Sequence, residues 1–172
     1  MSHTVNLMNT YPKTPGSGGQ RGVGLVEVMV AVAILAFGML GIAALQATAL
    51  RSSQSSLERS TVVMQTYAIL DAMRANRDVA LIGGYNMGNI NAAYEVTSWA
   101  CGRPDAGDLA ANDRRLWIGA TDEPGSLKAT LGDSACVAIR CSDDECLVAL
   151  QWDDSRAVGG SQEQEMMTRS RL

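Results

Sequence analysis

A single carboxylate, Glu27, lies at the start of the longest apolar stretch of the chain. From Val28 to Leu50 no residue is charged. As a helix this stretch measures roughly 34 Å, enough to cross the hydrocarbon core of a bilayer. A carboxylate in hydrocarbon costs several kcal/mol and normally marks a functional position, so Glu27 predicts a positively charged partner. The alternative is that Glu27 lies at the membrane interface and its carboxylate reaches water.

A polar leader without acidic residues precedes this stretch. Its charges are Lys13 and Arg21, and it ends in Gly22. Such a basic flank keeps the N-terminus in the cytoplasm while the following chain is translocated. An ordinary secretory signal is the alternative, because 47–49 (Ala-Thr-Ala) offers a cleavage site, but its apolar part is shorter and lacks an acid like Glu27.

Together, the basic leader, Gly22, the apolar helix and a Glu five residues after the Gly resemble the class III signal of type IV pilins and pseudopilins. The resemblance implies that a prepilin peptidase cuts between Gly22 and Val23 and methylates the new amino terminus of Val23. It also implies that Glu27 sets the registry of assembly by pairing with the α-amino group of an adjacent subunit. Val23 departs from the Phe that is usual at this place.

The resemblance divides the chain into a leader (1–22), a membrane-spanning polymerisation helix (23–50), a periplasmic half of the same helix (51–78) and a globular head (79–172). Gly38 and Gly41 lie within the apolar stretch. They either let helices approach closely or make the helix easy to melt locally, and the sequence leaves both readings open.

Beyond the apolar stretch the helix is expected to continue with one side buried. The predicted stripe, at helical spacing, consists of Val62, Val63, Thr66, Tyr67, Leu70 and Met73. The opposite side is small or uncharged and hints at contacts with other subunits; it carries Thr61, Gln65, Ala68 and Ala72. The segment 73–77, followed by a loop with Tyr85 and Asn86, resembles the PilV group of minor pilins. Arg74 and Arg77 are expected to complement the dipole at the helix end.

The head is predicted to be α+β. Cys136–Cys141 and Cys146–Trp152 read as two strands of a hairpin around a four-residue polar turn, with weaker strands at 94–99 and 162–169. A helix at 108–118 is expected to begin at an Asp108 cap and to have Leu109, Leu116 and Trp117 on its apolar side.

Four cysteines in an exported domain indicate disulfides. The hairpin places Cys141 opposite Cys146, which leaves Cys101 to pair with Cys136. Four cysteines allow three pairings, and the spacing favours this one.

Residues for enzymatic chemistry are few. The one histidine, His3, lies in the leader. The acidic residues 143–145 lack the alternating ligand spacing of a calcium loop, so we expect no metal site. We also expect no cofactor, and we expect that the chain is not an enzyme. Removal of the leader takes away Lys13 and Arg21, so 12 of the 14 basic residues remain against 18 acidic ones. The resulting net charge of −6 argues against nucleic-acid binding.

The resemblance therefore predicts a minor pilin that takes part in priming type IV pilus assembly, and so supports twitching motility and adhesion. It would lie in the inner membrane of a Gram-negative bacterium with a periplasmic C-terminus, and then at or near the pilus tip. Its expected partners are the prepilin peptidase, other minor pilins, the major pilin, the inner-membrane assembly machinery and a tip adhesin. The alternatives are a minor pseudopilin of type II secretion and a membrane-anchored periplasmic binding or enzymatic domain.

Overall fold

The computed structural model describes Gly22 and residues 24–172. The rest of the predicted leader and Val23 lie outside the described residues. The described chain divides between Ile42 and Ala43 into two compact units, and each unit is described by itself.

One helix, α1 (Leu25–Ala75), runs through 51 residues. It contains no proline, and its N-terminal part is rich in Ala, Leu and Met, which favour helix. Its side chains up to Leu50 are exposed, and its most apolar window has a mean hydropathy of 2.7. By length and composition α1 can cross a membrane.

In the second unit one stripe of α1 packs into the core. Its buried members are Val62, Thr66, Ile69, Leu70 and Met73. The predicted stripe is confirmed at four of these positions and missed Ile69. It is wrong for Val63 and Tyr67, which are 41% and 56% exposed. Each lies one residue past a buried position and is therefore rotated by about 100° around the helix, away from the core.

The opposite side of α1 is partly covered by the chain's own head. The Trp117 indole donates a hydrogen bond to the Gln65 carbonyl at 2.9 Å, and the Gln65 side chain donates to the Gly125 carbonyl at 2.9 Å. Ala72 packs against the core, whereas Ala68 is exposed. The head thus accounts for much of the uncharged face that hinted at contacts with other subunits.

Short elements complete the second unit. In chain order they are α2 (Arg77–Leu81), β1 (Asn89–Ile90), β2 (Val96–Ser98), α3 (Leu109–Ile118), α4 (Leu127–Leu131), β3 (Cys136–Ser142), β4 (Glu145–Trp152) and β5 (Gln164–Arg171). β3, β4 and β5 form an antiparallel sheet in that order, and β1 and β2 form a second one. The predicted α+β architecture is confirmed, with a long apolar helix packed on small antiparallel sheets.

Several strand boundaries differ from the prediction. β3 and β4 pair up to Ser142 and Glu145, so the hairpin turn has two residues rather than four. Asp143 supplies the positive φ of +56° that such a tight turn needs. The last strand begins two residues later than predicted, and the strand predicted from Tyr94 shortens to β2 because Tyr94 has a left-handed φ of +63°.

α3 begins as predicted, because the Asp108 carboxylate accepts a hydrogen bond from the Ala111 amide at 2.8 Å. Its apolar side is only partly as predicted, since Leu109 and Leu116 are exposed. The buried residues of α3 are Ala110, Trp117 and Ile118. Because Trp117 turns toward α1, the two leucines face outward. The sequence did not predict α4 or β1.

Arginines join the end of α1 to the C-terminus of the chain. Arg74, in the last turn, pairs with Asp71 at 2.7 Å and donates to the Ser170 hydroxyl at 3.1 Å. Arg77 lies beyond α1, in α2, so only Arg74 complements the dipole of α1. The Arg77 Nε instead donates to the Leu172 carbonyl at 3.0 Å.

Two disulfides join Cys101 to Cys136 and Cys141 to Cys146, over sequence separations of 35 and 5. This is the pairing that the spacing favoured. By loop-closure entropy the longer one contributes about 4 kcal/mol and the shorter one about 2 kcal/mol.

A buried carboxylate, Asp154, holds the β4–β5 connection against α1. Asp154 is 2% exposed. It accepts a hydrogen bond from the Ser55 hydroxyl at 2.8 Å and pairs with Arg59 at 3.6 Å. Beside it, Arg156 pairs with Glu58 at 3.3 Å. Because Glu58 is itself half-buried beside this cluster, its ionisation affects folding.

Burial raises the pKa of Glu58 above its ordinary 4.5; Arg156 opposes the rise, and Asp154 adds to it. The folded chain therefore binds this proton more tightly than the unfolded chain, so the contribution of Glu58 to stability falls as the pH rises above 4.5. Glu58→Gln removes this titration. We expect the variant to gain stability relative to the wild type as the pH rises from about 4 to about 7.

Urea unfolding of the full chain in detergent micelles at several pH values measures this difference. Asp105→Asn, at an exposed carboxylate, is the matched control and should run parallel to the wild type. A Glu58→Gln curve that also runs parallel would show that this carboxyl does not titrate differently in the folded chain.

Candidate processing and assembly site

The predicted cleavage site lies just before the first turn of α1. Gly22 is exposed, and Val23, which follows it, lies outside the described residues. The Gly24 carbonyl accepts hydrogen bonds from the amides of Glu27 and Val28 at 2.9 and 3.2 Å. The helix therefore begins three residues after Gly22, which itself lies in non-helical backbone.

Glu27 lies in the first turn of α1 with its side chain exposed. Its carboxylate has a favourable interaction with the positive end of the helix dipole. The neighbouring Leu25, Val26 and Val28 are 77%, 72% and 50% exposed, so the acid is surrounded by apolar surface. Among the described residues, Gly22 and 24–172, no lysine or arginine lies within ion-pair distance of the Glu27 carboxylate.

Gly38 and Gly41 lie inside α1, and the helix continues through both. A methyl group added at either position would have no atom within 4 Å. The packing of this chain therefore does not require glycine at these two places. Close approach by another helix and a lower helix stability stay the two predictions for these glycines.

The acidic residues of the hairpin turn pair with arginines of β5. Asp144 pairs with Arg171 at 3.6 Å and Glu145 with Arg169 at 3.1 Å. The depression of about 220 Å³ beside them is also lined by Arg140. Within the described residues no group of three His, Cys, Asp or Glu side chains is arranged to hold a metal ion.

Residues 18–43 match the model of the prokaryotic N-terminal methylation motif. No curated protein and no solved structure matches the chain. The matched segment contains all the predicted processing and assembly residues: Gly22, Val23, Glu27, Gly38 and Gly41. The motif supports a type IV pilin-like or pseudopilin protein and suggests a structural, non-enzymatic subunit.

The motif implies processing by a prepilin peptidase and assembly with pilus machinery. Together with the long apolar helix, it fits a pilin anchored in the inner membrane. The structure adds that Glu27 and both helical glycines of the matched segment are exposed.

The sequence did not single out the buried Asp154 cluster, because a pair of aspartates after a strand has the pattern of an ordinary turn.

Replacing both Gly38 and Gly41 by alanine should raise the helicity of the apolar segment, since each change favours helix by roughly 1 kcal/mol and neither side chain meets an obstacle. If assembly needs close approach or local melting there, the double variant should fold and be processed normally but enter filaments less. Circular dichroism in micelles and immunoblots of sheared filaments measure the two effects. Ala36→Gly, the reverse change in the same segment, is the control. Normal incorporation at raised helicity would exclude a role in assembly.

Proposed function

We propose that the chain is a minor pilin that takes part in priming type IV pilus assembly and lies at or near the pilus tip. The observation that carries the proposal is the carboxylate of Glu27, five residues after Gly22 in a matched methylation motif, on apolar exposed surface. Twitching motility and adhesion depend on such assembly indirectly. The proposed parts are the leader 1–22, the polymerisation helix 23–50, its periplasmic half 51–78 and the head 79–172.

The proposed mechanism is charge neutralisation that depends on processing. Cleavage after Gly22 exposes the α-amino group of Val23, which the peptidase then methylates; both reactions belong to the peptidase. The ammonium of one subunit pairs with Glu27 of its neighbour, and each pair relieves several kcal/mol of unfavourable burial in hydrocarbon. Cleavage also removes Lys13 and Arg21, whose charges hold the N-terminus in the cytoplasm. Processing thus permits assembly, and Glu27 sets its registry.

Assignment to the PilV group is the finer part of the proposal. It rests on the segment 73–77 and on Tyr85 and Asn86, which resemble that group. In the fold these residues are structural: the buried Tyr85 hydroxyl donates to the Asp113 carboxylate, and the Asn86 side chain accepts from the Cys141 amide at 2.8 Å. The proposed partners are the prepilin peptidase, other minor pilins, the major pilin, the inner-membrane machinery and a tip adhesin.

Glu27→Gln should leave cleavage intact but lower incorporation into filaments by at least about tenfold, because the ion pair is lost while size is kept. Glu27→Asp keeps the charge and should restore part of the incorporation. Immunoblots of sheared pili against membrane fractions measure both. Wild-type incorporation of the glutamine variant would refute the pairing, and appearance in a secretion pseudopilus only would favour the pseudopilin alternative.

Gly22→Glu should block the peptidase, so the chain stays in the membrane with its 22-residue leader attached. N-terminal sequencing and mass spectrometry of the purified protein should show a methylated Val23 in the wild type and an intact Met1 in the variant. Gly24→Glu, two residues along the chain and at an equally open position, is the matched control. A wild-type amino terminus elsewhere than Val23 would overturn the assigned cut.

A further inference from the structure

The three-stranded sheet has two outer edges, and among the described residues other segments of the chain close only the β3 edge. Val137 of β3 exchanges two backbone hydrogen bonds with Ala100, at 2.8 and 3.0 Å. Ile139 exchanges two with Met87, also at 2.8 and 3.0 Å. These short covering segments occupy the outward-facing backbone groups of β3, so that edge has no room for a further strand.

β5 forms the other edge. It pairs with β4 through eight consecutive residues without a bulge. The Leu172 amide continues this ladder by donating to the Asp144 carbonyl at 3.2 Å. Backbone amides and carbonyls alternate in direction along a strand. Those of the even-numbered residues of β5 therefore bond to β4, and those of the odd-numbered residues point away from the sheet. The outward-pointing residues are Glu165, Met167, Arg169 and Arg171.

Within the part of the chain that the structure describes, no backbone group of another segment bonds to these outward groups. Two of the outward carbonyls accept hydrogen bonds from neighbouring side chains. The Ser170 hydroxyl donates to the Arg171 carbonyl at 3.1 Å, and the Gln164 side chain donates to the Glu165 carbonyl at 3.5 Å. The amides remain open. β5 also contains no proline and no lysine, two of the usual means by which proteins prevent an edge strand from pairing.

The side chains along this edge define what can bind there. Arg169 and Arg171 lie at one end, Met167 is 37% exposed in the middle, and Glu165 lies at the other end. The Arg171 side chain is 82% exposed and its contact with Asp144 is long, at 3.6 Å, so it can accept a second carboxylate. Each matched cross-strand pair adds a small favourable contribution to the affinity of an incoming strand.

A second copy of this chain does not fit the edge. Ser55 contacts Asp154, which follows β4 at the end of the sheet where Trp152 pairs with the first residue of β5. Arg74 contacts Ser170 near the end of β5, so α1 and β5 run in the same direction. Antiparallel pairing of two β5 strands requires a two-fold axis normal to the sheet, which would reverse one α1. On the proposed function, subunits are anchored in one membrane and their α1 helices are parallel. Pairing of two β5 strands is therefore excluded.

We propose that the open edge of β5 is a docking site for an extended segment of another protein, added antiparallel to β5. The segment has carboxylates opposite Arg169 and Arg171, an apolar side chain opposite Met167 and a basic one opposite Glu165. Backbone hydrogen bonds supply its affinity and the charge pattern supplies its specificity and direction.

The test uses the full chain in detergent micelles and a synthetic peptide with blocked ends, Glu-Thr-Glu-Thr-Val-Thr-Lys. Its charge-reversed counterpart, Lys-Thr-Lys-Thr-Val-Thr-Glu, should bind about tenfold more weakly. Amide chemical shifts of β5 report binding. Met167→Pro removes one outward amide and leaves the β4 ladder intact, so it should abolish binding. Met167→Ala keeps the amide and loses one apolar cross-strand contact, so it should bind within about fivefold of the wild type.

Equal affinity for the two peptides, no binding, or binding unaffected by Met167→Pro would overturn the proposal. The proposal would also be overturned if two copies of the chain cross-link through β5 and Met167→Pro abolishes this cross-linking. That result would indicate self-association instead. If Met167→Pro lowers the stability of the chain, Met167→N-methylalanine made by peptide ligation replaces it. Glu27→Gln should bind the first peptide like the wild type, so failure of the assembly proposal and failure of this one are distinguishable.

Discussion

The head is built on burial of one stripe of α1. Leu70 and Met73 are fully buried between the helix and the sheet, and the Met73 sulfur lies 3.7 Å from that of Cys141 in β3. Each such side chain contributes roughly 1.5–3 kcal/mol when it leaves water. Since the stripe occupies one side of the helix and the head covers only part of the opposite side, some of this helical surface stays exposed, as at Met64 and Tyr67. A helix that buries one side in its own head retains surface for neighbours.

Polar contacts fix the position of α1 at both ends of this stripe. At one end Asp154 and Arg156 bind Ser55, Arg59 and Glu58. At the other end Arg74 and Arg77 reach β5 and the C-terminal carbonyl. Apolar packing is non-directional, whereas hydrogen bonds of 2.8–3.1 Å define one register. The helix is therefore held against sliding along the sheet as well as against separation from it.

Sequence periodicity predicted much of the fold, whereas the residues of the candidate site follow from the resemblance to pilins and stay a prediction. The alternating β-branched and apolar residues of 136–152 identified the hairpin, and with it the opposed Cys141 and Cys146. The failures have a common cause: the side of a helix that is buried depends on tertiary contacts. Tyr67 and Leu116 have the spacing of core residues, yet both are exposed: Tyr67 is rotated away from the buried stripe, and Leu116 faces outward because Trp117 turns toward α1. The left-handed backbone of Tyr94 was likewise invisible in a residue type that favours strands.

The longer disulfide explains why the two edges of the sheet differ. Cys101 follows Ala100, and Cys136 precedes Val137, so the bond holds together the two residues that exchange the first pair of hydrogen bonds across the β3 edge. A two-residue contact of this kind is weak by itself, because it fixes backbone for few hydrogen bonds. With the covalent link, the covering segment stays in place and the β3 edge stays closed. Strand addition is then restricted to β5, where the side chains rather than the fold select the partner.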